Sequence, residues 1–295
     1  MTNICITGGN GFIGSHLARA LPDAHLFDYP AHDLRNLVDA NDFILEYQPE
    51  VVFHLAAQSV VTNEDDIETL ATNIDGTYNL LHACKTSAKQ LRSFVHISSD
   101  KVYGTNANAR RMDPLRGVSH PYNVSKLCGD EIAQMFKNFY GLPVRIVRMA
   151  NVYGPGDLHF DRIVPGTITD TLNGIPRHHR GDRRWIRDFI YIDDVIPAFL
   201  RIADEPVGIY NLGGDYCSLS DISELILCLM GREDLHPIWD NDSHNEIPFQ
   251  HIVDCPDWWH PATSLEEGLR RTIEWYAALN AKKTGGDDEP QFFYS

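Results

Sequence analysis

The sequence contains no apolar run approaching the ~18 residues of a membrane-spanning helix. Only Ile4-Cys5-Ile6 precedes its first glycines, too short for the core of an export signal. Neither export nor a membrane span is expected. Paired cysteine is lacking too: Cys5, Cys84, Cys128, Cys217, Cys228 and Cys255 show no C-x-x-C or other metal-ligand spacing, in a chain too large to need staples. They read as reduced core thiols in a cytoplasm. Positive charge is scarce, 25 Lys+Arg against 41 Asp+Glu for a net charge of −16. A protein that neutralises nucleic-acid phosphates needs a basic face, and Arg183, Arg184 and Arg187 are too few to reverse this field. Nucleic acid is therefore excluded, while a small pocket for a phosphorylated ligand is not. Internal repeats are absent, and 43% hydrophobic content across 295 residues excludes a disordered or fibrous chain.

What is present first is alternation. Short β-branched or apolar runs trade places with amphipathic helical patterns through about residue 150, the signature of a parallel α/β sheet. Strands are expected near 3–7, 24–28, 51–55, 93–98 and 144–149, and helices over 12–21, 39–48, 67–89, 121–140. The fold class is α/β, a Rossmann-type doubly wound parallel sheet. Later segments rich in Gly and Pro, such as Gly154-Pro155-Gly156 and Gly174-Ile175-Pro176, suggest a smaller C-terminal α/β lobe. The division reads as a dinucleotide-binding domain over 1–150, to which later segments return, a substrate lobe over 151–281 and a flexible polar tail over 282–295.

Gly8, Gly11 and Gly14 follow the first expected strand at G-x-x-G-x-x-G and open the first helix. Gly8 permits the sharp turn, Gly11 lets backbone approach a pyrophosphate at the helix N-terminus, and Gly14 allows close helix packing. Asp28 ends the second strand, where a carboxylate accepts both ribose hydroxyls and repels a 2′-phosphate. The expected cofactor is NAD.

Tyr122 and Lys126, four apart at the start of helix 121–140, share a helical face. An ammonium beside a phenol favours phenolate and so a general base. The spacing alone is weak evidence, and Ser98-Ser99-Asp100-Lys101 strengthens it. That segment ends the strand 93–98, and ligands of doubly wound sheets sit beyond the carboxyl ends of strands. A solvated turn is the competing reading of Asp100 and Lys101. His178-His179 lacks a spaced carboxylate partner, so no metal is expected.

Together these residues resemble the extended short-chain dehydrogenase/reductase superfamily, specifically its NAD-dependent nucleotide-sugar epimerase/dehydratase family. The likeness extends through His54 to Gln58, Asn73 to Thr77, Arg148 to Gly156, Arg187 to Val195, Tyr210 to Gly214 and Ser264 to Leu269. It implies that Asn10, Phe12, Ile13, Asp33, Leu34, Leu55, Ala56, Ala57, Asn73 and Ser98 join the glycines, Asp28, Tyr122 and Lys126 around NAD. It also implies that Gln58, Asn151, Arg162, Arg177 and Arg187 meet a nucleotide-diphosphate sugar, Arg162 and Arg177 being equally readable as surface arginines. Helices 67–89 and 121–140 lie where family members pair, implying a homodimer.

The subfamily turns on Asp100 and Lys101. In 4-epimerases these positions are usually small or non-ionisable; here Asp-Lys resembles the CDP-glucose 4,6-dehydratase pattern. The implied roles are Tyr122 as base at the sugar 4-hydroxyl with Ser99 hydrogen-bonding the oxygen, Lys101 as a neutral base at C5, and Asp100 as acid for the departing 6-hydroxyl. A 4-epimerase and a catalytically silent NAD-binding protein are the other readings. The chain departs from the pattern between Asp28 and Asp33-Leu34-Arg35, where the usual loop is nearly absent, and around Asp254 to Pro261. With the acidic segment 240–246, the second departure falls where the nucleotide base would be read, so the CDP preference is not carried over.

Overall fold

The structure, a computed structural model, describes residues 2–59, 66–116, 120–240 and 247–284. The elements in chain order are β1 (Ile4–Thr7), α1 (Phe12–Ala20), β2 (His25–Phe27), α2 (Leu37–Tyr47), β3 (Val51–His54), α3 (Asp66–Leu70), a π-helical turn (Ala71–Asp75), α4 (Gly76–Ser87), β4 (Ser93–Ile97), a 3₁₀ turn (Asp100–Tyr103), α5 (Pro121–Tyr140), β5 (Val144–Met149), β6 (Asn151–Tyr153), α6 (Ile163–Leu172), β7 (His178–His179), β8 (Ile186–Tyr191), α7 (Ile192–Asp204), β9 (Gly208–Leu212), β10 (Asp215–Ser218), α8 (Leu219–Leu229), β11 (Ile238–Trp239) and α9 (Leu265–Thr284).

Six of these strands form one parallel sheet in the order β2-β1-β3-β4-β5-β9. Its register aligns Ile6 with Phe53, Phe53 with Val95, and Arg148 with Asn211. Both faces are apolar because strand side chains alternate. Ile6, Val51, Phe53, Val95 and Val147 point into one core with α1 and α7. Cys5, Val52, Phe94, Val144 and Ile146 point into the other, against α2, α4 and α5. A fully buried Phe or Ile contributes roughly 2–3 kcal/mol each, so the two cores fix the sheet before any polar contact acts. The doubly wound α/β reading of the sequence holds.

β9 comes from beyond residue 151 yet completes the large sheet beside β5, so the chain returns to its first half. A smaller set of strands, β10-β8-β6 and the pair β11-β7, accompanies α6, α8 and α9. Residues 282–284, read from the sequence as the start of a tail, are the last turn of α9; 285–295 lie outside the described residues, as do 241–246 of the acidic segment. Among the described residues no helix is long and apolar enough to cross a membrane.

Candidate active site

The turn after β1 is as tight as backbone allows. Gly8 has φ +73°, and a Cβ added there would lie 2.6 Å from the Ala56 nitrogen, while one at Gly14 would lie 1.8 Å from the Gly8 oxygen. Gly11 is the N-cap of α1 with no side-chain cap, so the amides of Phe12 and Ile13 in its first turn are left for a ligand. The Asn10 amide donates to Asp28 Oδ2 at 3.1 Å. Burial pushes the Asp28 carboxyl up to about 6, against the amides of Asn10, Gly8 and Gly9, which hold it down. It is therefore ionised above that pH, aimed at the Gly loop.

The floor of this cleft is laid by β3. Leu55 and Ala56 donate their amides to the Thr7 backbone oxygen and to Thr7 Oγ1 at 3.1 and 3.2 Å. Asn73 sits in the π-helical turn that interrupts the helix expected over 67–89. Its side chain accepts from the Gln58 amide at 2.8 Å and donates to the Gln58 oxygen and Ser125 Oγ at 3.0 and 2.8 Å. Ala56, Ala57, Asn73, Ser125, Lys126 and His96 line one small cavity. Leu34 is buried beneath Gly76, and Asp33 is held bidentately by Arg35 at 2.7–3.0 Å.

At the carboxyl end of β4, Ser99 caps the 3₁₀ turn. Its Oγ donates to Asp100 Oδ1 at 2.9 Å, and its hydroxyl lies beside the Tyr122 phenol, whose ionised form it favours. Tyr122, Ser99 and Asp100 thus converge at the end of β4. His120 and Pro121 start α5 and fix this helix against the turn. Lys126, 8% exposed, donates from Nζ to the Ile97 oxygen at 2.7 Å. Burial lowers it to about 8, with Asp130 pulling the other way.

Two expectations change here. Tyr122 is not lowered by Lys126: burial raises it, and the largest opposing influence is the Arg162 guanidinium. Desolvation of the buried phenol outweighs the cations near it, which explains the difference. Ser98, expected to face the cofactor, instead donates its hydroxyl to Asp130 Oδ2 at 2.7 Å. Asp130 and Arg148 are a fully buried bidentate pair at 2.7 and 2.9 Å, braced by Tyr103, whose hydroxyl also reaches Asn211.

Whether this cradle fits a dinucleotide is tested by the chain itself: the glycines leave no room for side chains, the α1 amides are open, and Asp28 stands one strand away. A profile of the NAD dependent epimerase/dehydratase family matches residues 4–213. The chain belongs to that family. Among its relatives is a dTDP-glucose 4,6-dehydratase of Neisseria meningitidis, 30% identical, with 94% of this chain and 93% of the relative aligned. Among solved structures, dTDP-glucose 4,6-dehydratase of Streptomyces venezuelae with NAD bound has a TM-score of 0.85 at 25% identity, covering 95% of this chain and 98% of that one. UDP-glucose 4-epimerase of Thermotoga maritima has a TM-score of 0.83 at 25% identity, covering 95% and 100%. The Neisseria alignment spans 339 positions against a chain of 295, so that relative carries internal segments absent here. The cofactor of this epimerase/dehydratase family member is NAD.

The remaining expected residues divide. Arg162 reaches Asp157 at 3.1 Å and Ser59 at 3.3 Å and acts electrostatically on Tyr122, so it joins the site. Arg187 is buried with its guanidinium over the Trp185 ring, and Asn151 donates to the Asp188 oxygen at 3.1 Å. The Gln58 side chain turns to Glu68 at 3.3 Å. Arg177 is not brought to this cluster: it braces α6, bonded to Asp170 at 3.0 Å and to the Phe160 oxygen at 2.9 Å. His179 stacks on Trp239 and bonds Ser223. Sequence reasoning missed Asp130 and Gln250 as site residues. For Asp130 a signal existed: Arg148 is a charge in an otherwise apolar strand and requires a buried partner. For Gln250 none did.

Proposed function

We propose that this protein is a sugar-nucleotide 4,6-dehydratase, converting an NDP-hexose to an NDP-4-keto-6-deoxyhexose with net loss of water. The single observation that carries this is the Asp100–Lys101 turn, an acid and an amine on the same turn whose Ser99 hydroxyl meets Tyr122. When bound, NAD would supply a reversible two-electron acceptor for C4 that returns the electrons at C6. Gly8, Asn10, Gly11, Phe12, Ile13, Gly14 and Asp28 would hold its adenosine and pyrophosphate, and Leu55, Ala56, Ala57, Asn73 and Lys126 its other end.

Tyr122 Oη takes the proton of the sugar 4-hydroxyl, and Ser99 Oγ steadies that oxygen. The C4 carbonyl so formed makes the C5 hydrogen acidic. Lys101 Nζ, as the free amine, accepts that proton; Asp100 gives its carboxyl proton to the departing 6-hydroxyl, and water leaves. Once C6 is reduced, Lys101 delivers a solvent-exchangeable proton back to C5, and the proton held by Tyr122 passes through solvent to restore Asp100. Arg187 and Arg162 suit the diphosphate by charge and planar geometry, with Asn151 and Gln58 beside the sugar.

A 4-epimerase is the second reading, favoured by the Thermotoga structure's nearly equal likeness in fold, a TM-score of 0.83 against 0.85; it leaves Asp100 and Lys101 without a part. Incubation with dTDP-, UDP- and CDP-glucose in D₂O separates the two. Loss of water with deuterium at C5 is expected, whereas an isomer of unchanged mass without deuterium sinks the dehydratase. Lys101→Met is expected to retain NAD binding and C4 oxidation and to stop elimination.

A homodimer through α4 and α5 fits the exposed Tyr78, Met135, Phe139 and Tyr140 on those helices; sedimentation as a monomer at micromolar concentration refutes it. A cytoplasmic setting suits the six free thiols.

A further inference from the structure

The segment 247–253 lies far from the 3₁₀ turn in sequence and against it in space. Ile186 of β8 donates its amide to the Pro248 oxygen at 3.0 Å, and Gln250 donates its amide to the Ile186 oxygen at 3.1 Å. Ala109 donates to the His251 oxygen, and Val253 to the Ala109 oxygen, both at 2.9 Å. This backbone clamp leaves Gln250 only 4% exposed, with its side-chain carbonyl accepting a hydrogen bond from Lys101 Nζ across 149 residues. Its Nε2 is buried without a partner. Asp100, Gln250 and His251 line one small cavity beside the turn.

We propose that Gln250 is the positioning residue that aims the Lys101 amine. Left to itself, a lysine stem has four rotatable bonds and scatters its amine over many directions. One N–H pinned by a fixed carbonyl narrows those directions. The choice of an amide matters. A carboxylate in the same place favours the ammonium and blocks the free amine, whereas a neutral carbonyl orients the nitrogen without adding charge. Cost falls on the fold, which carries an unpaired buried Nε2 at this position.

The inference rests on Lys101 being the C5 base, so three variants are compared. Gln250→Leu is expected to slow elimination about tenfold in a single turnover, with KM for the nucleotide sugar within about twofold and C4 oxidation intact. Gln250→Glu is expected to raise the acid limb of the kcat–pH profile by about one pH unit. The pH dependence of Lys101 acylation in the cofactor-free protein, read by peptide mass spectrometry, is expected to move with it. Among the described residues, the other groups around the turn, Asp100 on it, Tyr122 and Lys126 on α5, Arg187 and Asp188 on β8, and His251 beside Gln250, are unchanged in all variants. Full turnover by Lys101→Met removes the base assignment itself. An inactive Lys101→Met together with an unmoved profile and unmoved acylation in Gln250→Glu overturns the role of Gln250 alone. Should Gln250→Leu fail to fold, the Gln250→Glu measurements decide.

Discussion

At the adenosine end of the dinucleotide site, the turn, the α1 amides and the Asp28 carboxylate all come from the first 28 residues, closed by Ala56 just beyond β3. At the reaction end, hydroxyls, acid, amines and guanidinia arrive from β4, α5, the loop before α6, β8 and the segment around Gln250. The first end is built from backbone and absent side chains. The second is built from ionisable side chains whose charge depends on burial and on partners distant in sequence. A local arrangement of glycines survives much change elsewhere, whereas a convergent one depends on every element that carries it.

The largest expected effect strikes the reaction end alone. Tyr122→Phe removes the proton acceptor and is expected to lower kcat about a thousandfold, with NAD affinity by calorimetry unchanged within a few-fold. Activity above about a tenth of the parent's erases the distinction between the two ends. Next comes the support beneath the reaction end: Arg148→Met leaves the buried Asp130 without its guanidinium partner, and is expected to cost about 3 kcal/mol in urea unfolding. Adding Asp130→Asn is expected to recover most of that loss; no recovery means the pair is not what the substitution broke.

The smallest effect belongs to the dinucleotide end and has opposite signs for stability and binding. The Asp28 carboxyl stands at about 6 in the fold, above its ordinary range. Its neutral form is favoured by folding, so this stabilising contribution is complete below the ordinary carboxylate range and is lost as pH rises through 6. Asp28→Asn therefore raises the melting temperature of the cofactor-free protein at pH 7–8, by about 2–4 °C, while weakening NAD about tenfold. Scanning fluorimetry with and without NAD reads both, and unchanged NAD affinity removes Asp28 from the cofactor site.

Much of this was legible because it was local. Helix α5 occupies 121–140 and β5 occupies 144–149, as periodicity predicts, since each buries a stripe that its own spacing defines. The π-helical turn at Ala71–Asp75 was not legible: it places Asn73 against Gln58 and Ser125, and that requirement comes from β3 and α5. Ser98 and Ser99 are adjacent and chemically identical, yet strand alternation sends one to the Asp130–Arg148 pair and the other to Tyr122 and Asp100.

Glycine spacing, apolar alternation and the order of motifs determined the parallel sheet, the dinucleotide turn and the family, because each expresses a conformational need of a few neighbouring residues. The tertiary structure decided which way the charged groups lean. Burial raises Tyr122 and lowers Lys126, Arg162 rather than Lys126 is the cation acting most strongly on the phenol, and Arg177 is spent bracing α6. A side chain's protonation depends on the water taken from it and the charges brought to it, and both are set by segments that meet only in the folded chain.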